Sequence, residues 1–181
     1  SESREVVQYA KSVEKAGNYL LSLINNILDI TWIESKKLDI IEEKFSLRQL
    51  VQEVCLIGAK QAEAKNLEFV VDVEETLPKY LEGDALHIKQ VILNLINNAV
   101  KYTKKGKVFL EVCQEEKQIS FSVKDTGIGI KKEDMEALFD MFMRADIKRH
   151  RNIEGSGLGL TIAKELCEQM GGHIQAESIY G

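Results

Sequence analysis

Residues 84–103, DALHIKQVILNLINNAVKYT, leave the rest of the chain little choice. They predict a helix with apolar side chains almost all round it: Leu86, Val91, Ile92, Leu93, Leu95, Ile96, Ala99 and Val100. Such a helix has to be buried, so the chain must wrap a core around it. Asp84 stands where a cap belongs. One polar stripe breaks the apolar surface. His87, Gln90, Asn94, Asn98 and Lys101 recur at spacings of three and four and therefore share a face. A buried amide is costly unless something bonds it. A single Asn there would read as a satisfied core amide. Two Asn one turn apart with Lys a turn further on read as the wall of a polar pocket. An Asn carbonyl is a hard oxygen ligand suited to Mg2+, and a Lys ammonium is a point charge suited to phosphate.

Two glycine clusters follow, Asp125-Thr126-Gly127-Ile128-Gly129-Ile130 and Gly155-Ser156-Gly157-Leu158-Gly159-Leu160, with Phe139-Asp140-Met141-Phe142 between them. Asp125 closes a strand pattern, where side chains project into a site; it is also a good turn residue before Thr-Gly. Gly127 and Gly129 let backbone approach a ligand closely. Gly155, Gly157 and Gly159 open a helix, whose free N–H groups and dipole favour phosphate. They also suit a lid hinge. No GxxxxGK[ST] is present, which excludes a P-loop NTPase. The protein-kinase signature set is missing too.

The order NLINNAVKYT, DTGIGI, FDMF, GSGLGL resembles the N, G1, F and G2 boxes of the sensor histidine kinases, whose ATP-binding domain is related to gyrase, Hsp90 and MutL. The resemblance covers nearly the whole chain. It implies an α+β fold, the two-layer α/β sandwich of the Bergerat type, with ATP and Mg2+ as cofactors. Residue by residue, Asp125 matches the acceptor of the adenine amino group and Asn98 the Mg2+ ligand, with Asn94 one turn earlier. Lys101 and Tyr102 match positions near the phosphates and ribose, and Arg144 and Arg149 match basic lid positions that reach the β- and γ-phosphates. Asn94, Asn98, Lys101 and Arg149 are the expected catalytic set. Gly127, Gly129 and Ile130, with Gly155, Ser156, Gly157, Leu158, Gly159, Leu160 and Thr161, are the expected ATP-binding loops. Lys148, His150 and Arg151 form a basic run that reads as solvated. Phe139 and Phe142 read as aromatics anchoring the lid.

Residues 20–38, LLSLINNILDITWIESKKL, resemble the second helix of the kinase dimerisation hairpin and its exit linker. The family's first hairpin helix, with the phosphoacceptor His, is expected before Ser1. His87, His150 and His173 do not match the acceptor motif, and His87 reads as a polar wall or core residue. The expected function is transfer of the ATP γ-phosphoryl group to that His, for relay to a response-regulator receiver domain. Two rivals stand beside it: a gyrase- or Hsp90-like ATPase, which carries a Glu base where this chain has Asn94, and a degenerate ATP-binding scaffold, which would have lost a box.

Composition sets the outer bounds. The chain has 181 residues, 44% hydrophobic and 29% charged, with a net charge of −5. That suits one globular domain plus an appendage. The basic residues are dispersed, so nucleic acid is not an expected partner. No apolar run approaches the roughly 20 residues of a membrane span, and no signal peptide opens the chain. Cys55, Cys113 and Cys167 are far apart and read as core thiols in a reducing compartment. A cytoplasmic placement is expected, with a membrane-anchored parent left open.

Residues 4–35 read as one long helix. Val6, Ala10, Val13, Gly17, Leu20, Ile24, Ile27 and Thr31 alternate spacings of four and three, a heptad seam that asks for a partner helix and predicts a homodimer. Residues 1–36 are thus set apart from an ATP-binding domain over 37–181. Within that domain, residues 37–45 read as an edge strand with Leu38, Ile40 and Phe45 inward. A helix capped at Ser46 follows to about Ala64, with Asn66 as its stop. Residues 67–73 read as a strand and 74–83 as a loop holding Pro78. Val108, Leu110 and Val112, then Ile119, Phe121 and Val123, mark a hairpin turning at Glu116-Lys117. Residues 132–138 read as a short helix, 143–154 as a mobile loop, 157–170 as a helix ended by Gly171-Gly172, and 173–178 as a strand. One more strand is expected beyond Gly181. The sheet is expected to be mostly antiparallel with helices on one face.

Overall fold

The structure is a computed structural model that describes residues 2–35, 39–140 and 157–181. The chain divides into two compact units, Ser1–Leu38 and Asp39–Gly181. Among the described residues the first holds one helix, α1 (Glu2–Glu34). Its seam residues Val6, Val13, Leu20, Ile24 and Ile27 are exposed, and no described side chain of α1 is buried.

The second unit runs β1 (Glu43–Ser46), α2 (Leu47–Glu63), β2 (Glu68–Val73), β3 (Tyr80–Gly83), α3 (Ala85–Tyr102), β4 (Lys107–Glu115), β5 (Gln118–Asp125), α4 (Lys132–Met135) and α5 (Gly159–Gln169). Its helix ends follow their capping chemistry. Ser46 Oγ accepts from Gln49 N at 3.3 Å, and α2 starts one residue later. The Gln49 side-chain amide donates to Glu53 Oε1 at 3.3 Å. Asn66 stops α2 by taking a φ of 56°, and Leu67 N then reaches back to Ala62 O at 2.9 Å. At the end of α5, Gly172 N reaches Cys167 O at 2.8 Å.

β2, β4 and β5 form one sheet in that order. Val108, Leu110 and Val112 alternate inward along the central strand β4 and are fully buried. They meet Leu50, Val51 and Val54 of α2 and Ile92, Ile96, Ala99 and Val100 of α3 in one core. Each fully buried Leu, Ile or Val there contributes about 1.5–3 kcal/mol. On the other face, Lys124 pairs with Glu111 at 2.6 Å. α5 packs on α3, and its Leu158, Ile162, Ala163 and Leu166 are buried.

The strand pairing is mostly antiparallel, as expected: β1 with β3 and β4 with β5. β2 and β4 alone among the described strands run parallel, because the chain crosses over through α3 between them. Several other expectations need correction. Residues 74–83 are not all loop. Tyr80–Gly83 pairs antiparallel with Glu43–Ser46, a partner about 37 positions back that no local pattern betrays. The edge strand is correspondingly shorter than predicted: residues 39–42 are in no strand, and Leu38 lies outside the described residues. Residues 173–178 form no strand. Only Ile174 among them is even half-buried, and they make no ladder with the described residues. Leu86, in the first turn of α3 ahead of the buried run, is 66% exposed, so α3 is not wrapped on every side. The three cysteines are free and half-buried rather than core residues, and burial pushes the Cys55 and Cys167 thiols up, away from reactivity.

Candidate functional site

α3 carries the polar stripe, and the structure shows what each end of it is tied to. At the N-terminus, Asp84 Oδ1 accepts from His87 N at 3.0 Å, and Oδ2 accepts from Ile41 N at 3.0 Å and lies 2.7 Å from His87 Nδ1. Burial alone would raise this carboxyl; the donors from His87 and Ile41 outweigh it and hold the pKa below the usual value. His87 is therefore spent on the cap rather than on a pocket wall. In mid-helix, Asn94 Nδ2 donates to Gly159 O at 3.2 Å, which brings the stripe against the first residue of α5. Asn98 and Lys101 are half-buried one and two turns further on. At the C-terminus, Lys101 Nζ lies 4.8 Å from the centre of the Tyr102 ring. Lys65, from the turn after α2, donates to Val100 O at 2.9 Å and Lys101 O at 3.0 Å. These carbonyls have no partner inside a helix end, and a cation is the favoured group beside them.

Thr103, the residue after α3, connects the stripe to Asp125. It is fully buried, and its hydroxyl donates to Asp125 Oδ1 at 3.3 Å. Gly127 N donates to the same oxygen at 2.8 Å. Among the described residues, nothing donates to Oδ2, and Asp125 as a whole is exposed at the end of β5. The carboxylate is thus fixed by one oxygen and presents the other.

The glycines of the first cluster have a reason the sequence did not show. A Cβ on Gly127 would stand 2.6 Å from Asp125 Oδ1 and 2.7 Å from Tyr102 O. Gly129 adopts a φ of +67°, and a Cβ there would collide with Ile179 O. Both spaces are filled by the protein itself. The Ile130 N–H is also taken, by Ser178 Oγ at 2.8 Å.

At the second cluster, α5 begins at Gly159 with Leu158 as its N-cap residue. Among the described residues no side chain caps it, unlike Ser46 at α2 and Asp84 at α3. A helix start without a side-chain cap keeps donors for an anion. Gly157 and Leu160 are half-buried beside it. Thr161 is 5% exposed, and its hydroxyl has no partner among the described residues. Gly155, Ser156, Arg144 and Arg149, with Phe142, Lys148, His150 and Arg151, lie outside the described residues. Phe139 is half-buried.

Sequence reasoning passed over Lys65, Thr103 and Ser178. Thr103 had a findable signal, since a Thr closing an apolar helix needs a partner for its hydroxyl. Lys65 and Ser178 act on elements distant in sequence and had none. Among the described residues, no group of three or more His, Cys, Asp or Glu could hold a metal ion, and no helix is long and apolar enough to cross a membrane.

Comparison with known proteins places this arrangement. Residues 83–181 match the family described as histidine kinase-, DNA gyrase B-, and HSP90-like ATPase. The chain is 42% identical over 178 residues to the sensor protein GacS of Pseudomonas syringae pv. syringae, which covers 96% of this chain and 20% of that protein. It is 41% identical over 169 residues to the sensory/regulatory protein RpfC of Xanthomonas campestris pv. campestris, covering 90% of this chain and 23% of that one. The chain therefore spans about a fifth of the length of these curated relatives. Its fold is similar to the crystal structure of full-length ShkA in complex with AMPPNP, with a TM-score of 0.78 and 27% identity over 94% of this chain and 36% of that one. It is also similar to the nucleotide-free catalytic domain of the histidine kinase ThkA, with a TM-score of 0.60 and 26% identity over 72% of this chain and 82% of that one.

Proposed function

The chain belongs to the histidine kinase-, DNA gyrase B-, and HSP90-like ATPase family, and from that membership we propose that it is the ATP-binding catalytic part of a sensor histidine protein kinase. The observation that carries the proposal is that one helix, α3, is bonded to both glycine clusters. Thr103 holds Asp125 at one, and Asn94 holds Gly159 at the other. A nucleotide laid along α3 would then meet a carboxylate oxygen at its base and an uncapped helix start at its phosphates.

In this reading, Asp125 Oδ2 accepts from the adenine amino group, and Tyr102 and Lys101 lie beside ribose and phosphates. The N–H groups at the start of α5 take phosphate oxygens. Arg144 and Arg149 supply the remaining positive charge. The described residues fit Mg2+ without an acidic cage, since Mg2+ is commonly held by one or two protein oxygens, substrate phosphates and water. The Asn98 carbonyl is the group that would hold it. When bound, the ion neutralises charge on the phosphates. Phosphoryl transfer needs mainly positioning and charge stabilisation, and these residues provide both. Asn94 is a poor base for activating water, and its amide is engaged with Gly159. That favours a histidine acceptor over hydrolysis. The acceptor is a His on a dimerisation helix, with a response-regulator receiver domain as the next partner and a second copy of the chain joined through α1.

The test is radiolabelled ATP given to this chain with and without a segment bearing the acceptor helix. The expected label is acid-labile and base-stable and sits on the added segment, and Asn98→Ala abolishes it. Acid-stable label on this chain alone, or rapid phosphate release that depends on Asn94, would overturn the proposal.

A further inference from the structure

We propose that Thr103 is a positioning residue that sets the choice of adenine over guanine, an inference that rests on the nucleotide-binding reading of Asp125. A carboxylate offers about four lone-pair sites, two on each oxygen. Here Gly127 N and the Thr103 hydroxyl fill both sites of Oδ1, at 2.8 Å and 3.3 Å. Asp125 therefore presents one oxygen, Oδ2, and cannot turn about its own axis without breaking two bonds.

A single acceptor suits adenine, whose amino group offers a hydrogen to one oxygen. Guanine presents two parallel donors, the ring N–H and the exocyclic amine, and is best met by both oxygens of one carboxylate. Guanine also carries a carbonyl where adenine has its amino group, and a carboxylate facing that carbonyl is repelled. Removing the Thr103 hydroxyl frees a site on Oδ1 and loosens the rotation, so both oxygens can swing to the guanine edge. Thr103 is well placed to impose this constraint. It is fully buried, its N–H is bonded to Ala99 O at 3.1 Å, and the helix end that delivers it is held by Lys65. The Thr103 hydroxyl also closes the space above Gly127, where a Cβ would stand 3.0 Å away.

The experiment compares ADP and GDP affinities by titration calorimetry for the parent chain, Thr103→Val and Thr103→Ser, with thermal melts alongside. The parent should bind ADP well above GDP. Thr103→Val keeps the volume and loses the donor, and the GDP-to-ADP ratio of dissociation constants should fall about tenfold, the size of one lost bond to a charged group. Thr103→Ser keeps the donor and should restore most of the ratio, even if its melting point drops. A purely structural role would move melting points without moving the ratio. If Thr103→Val does not fold, Thr103→Ala removes the same donor and carries the same comparison. A parent that binds ADP, with a ratio unchanged in the donor-less variant, overturns this proposal and leaves the nucleotide reading intact. A folded parent that binds neither nucleotide overturns both.

Discussion

Asp84 and Asp125 stand at opposite ends of α3, and their bonds separate a fully committed carboxylate from one that, among the described residues, is held by a single oxygen. Asp84 commits both oxygens, to His87 and Ile41. Its pKa is held down by those donors against its burial. A depressed carboxyl adds stability that is complete above its unfolded value near 4 and is lost as pH falls through the lower folded value. Asp84→Ala should therefore cost about 1–2 kcal/mol at pH 7 in urea melts. That gap should close as pH drops below about 4, because the parent then loses the same bonds. A gap constant from pH 7 to pH 2.5 would contradict the assignment. Asp125, by contrast, keeps Oδ2 uncommitted among the described residues. Asp125→Asn should weaken ADP about ten- to a hundredfold, since a bond to a charged acceptor is worth roughly 1.5–3 kcal/mol. Its melting point should change little, because Asn can still accept from Gly127 N. Unchanged ADP affinity would remove Asp125 from the adenine site.

At the scale of elements, two glycines in helix interiors show how packing overrides propensity. Replacing Gly by Ala inside a helix normally stabilises by about 0.5–1 kcal/mol. At Gly17 of α1 a new Cβ meets nothing within 4 Å, so Gly17→Ala should raise helix content and stability. At Gly58 of α2 it would stand 2.7 Å from the Phe69 ring and 3.3 Å from Ile96 Cγ2, at the seam where α2 lies on β2 and α3. Overpacking of this kind costs about 1–3 kcal/mol, more than the propensity gain. Gly58→Ala should therefore lower stability by about 1 kcal/mol, the reverse of Gly17→Ala. Two thermal melts decide it, and equal shifts in both would show that α2 is held less closely than its packing indicates.

For the whole molecule, the open question is the surface of α1. Leu20, Ile24 and Ile27 lie on one face and are exposed in the single chain. An apolar stripe of this length in water is an association surface. Sedimentation should show a concentration-dependent dimer, and melting points should rise with protein concentration. Leu20→Glu with Ile24→Glu should give a monomer, since each buried Leu or Ile is worth about 1.5–3 kcal/mol and the charges would have to be desolvated. A parent chain that sediments as a clean monomer would count against the homodimer.

The sequence by itself determined what local chemistry controls. Helix starts at Ser46 and Asp84, the stop at Asn66, the β4–β5 hairpin and the buried face of α3 follow from capping, turn residues and periodicity, which act over a few positions. The order of the glycine clusters was legible as well, and its resemblance to the kinase boxes is where the proposal of a ligand starts. Only the tertiary structure decided the rest. β3 exists because Glu43–Ser46 is there to pair with it, and β2 runs parallel to β4 because α3 crosses between them. Asp125 Oδ1 is held partly by a buried hydroxyl 22 residues earlier in the chain. Gly129 turned out to make room for the backbone of Ile179. Each of these depends on partners brought together from distant parts of the chain. Side-chain identity states what a residue can bond, and the fold chooses which partner it finds.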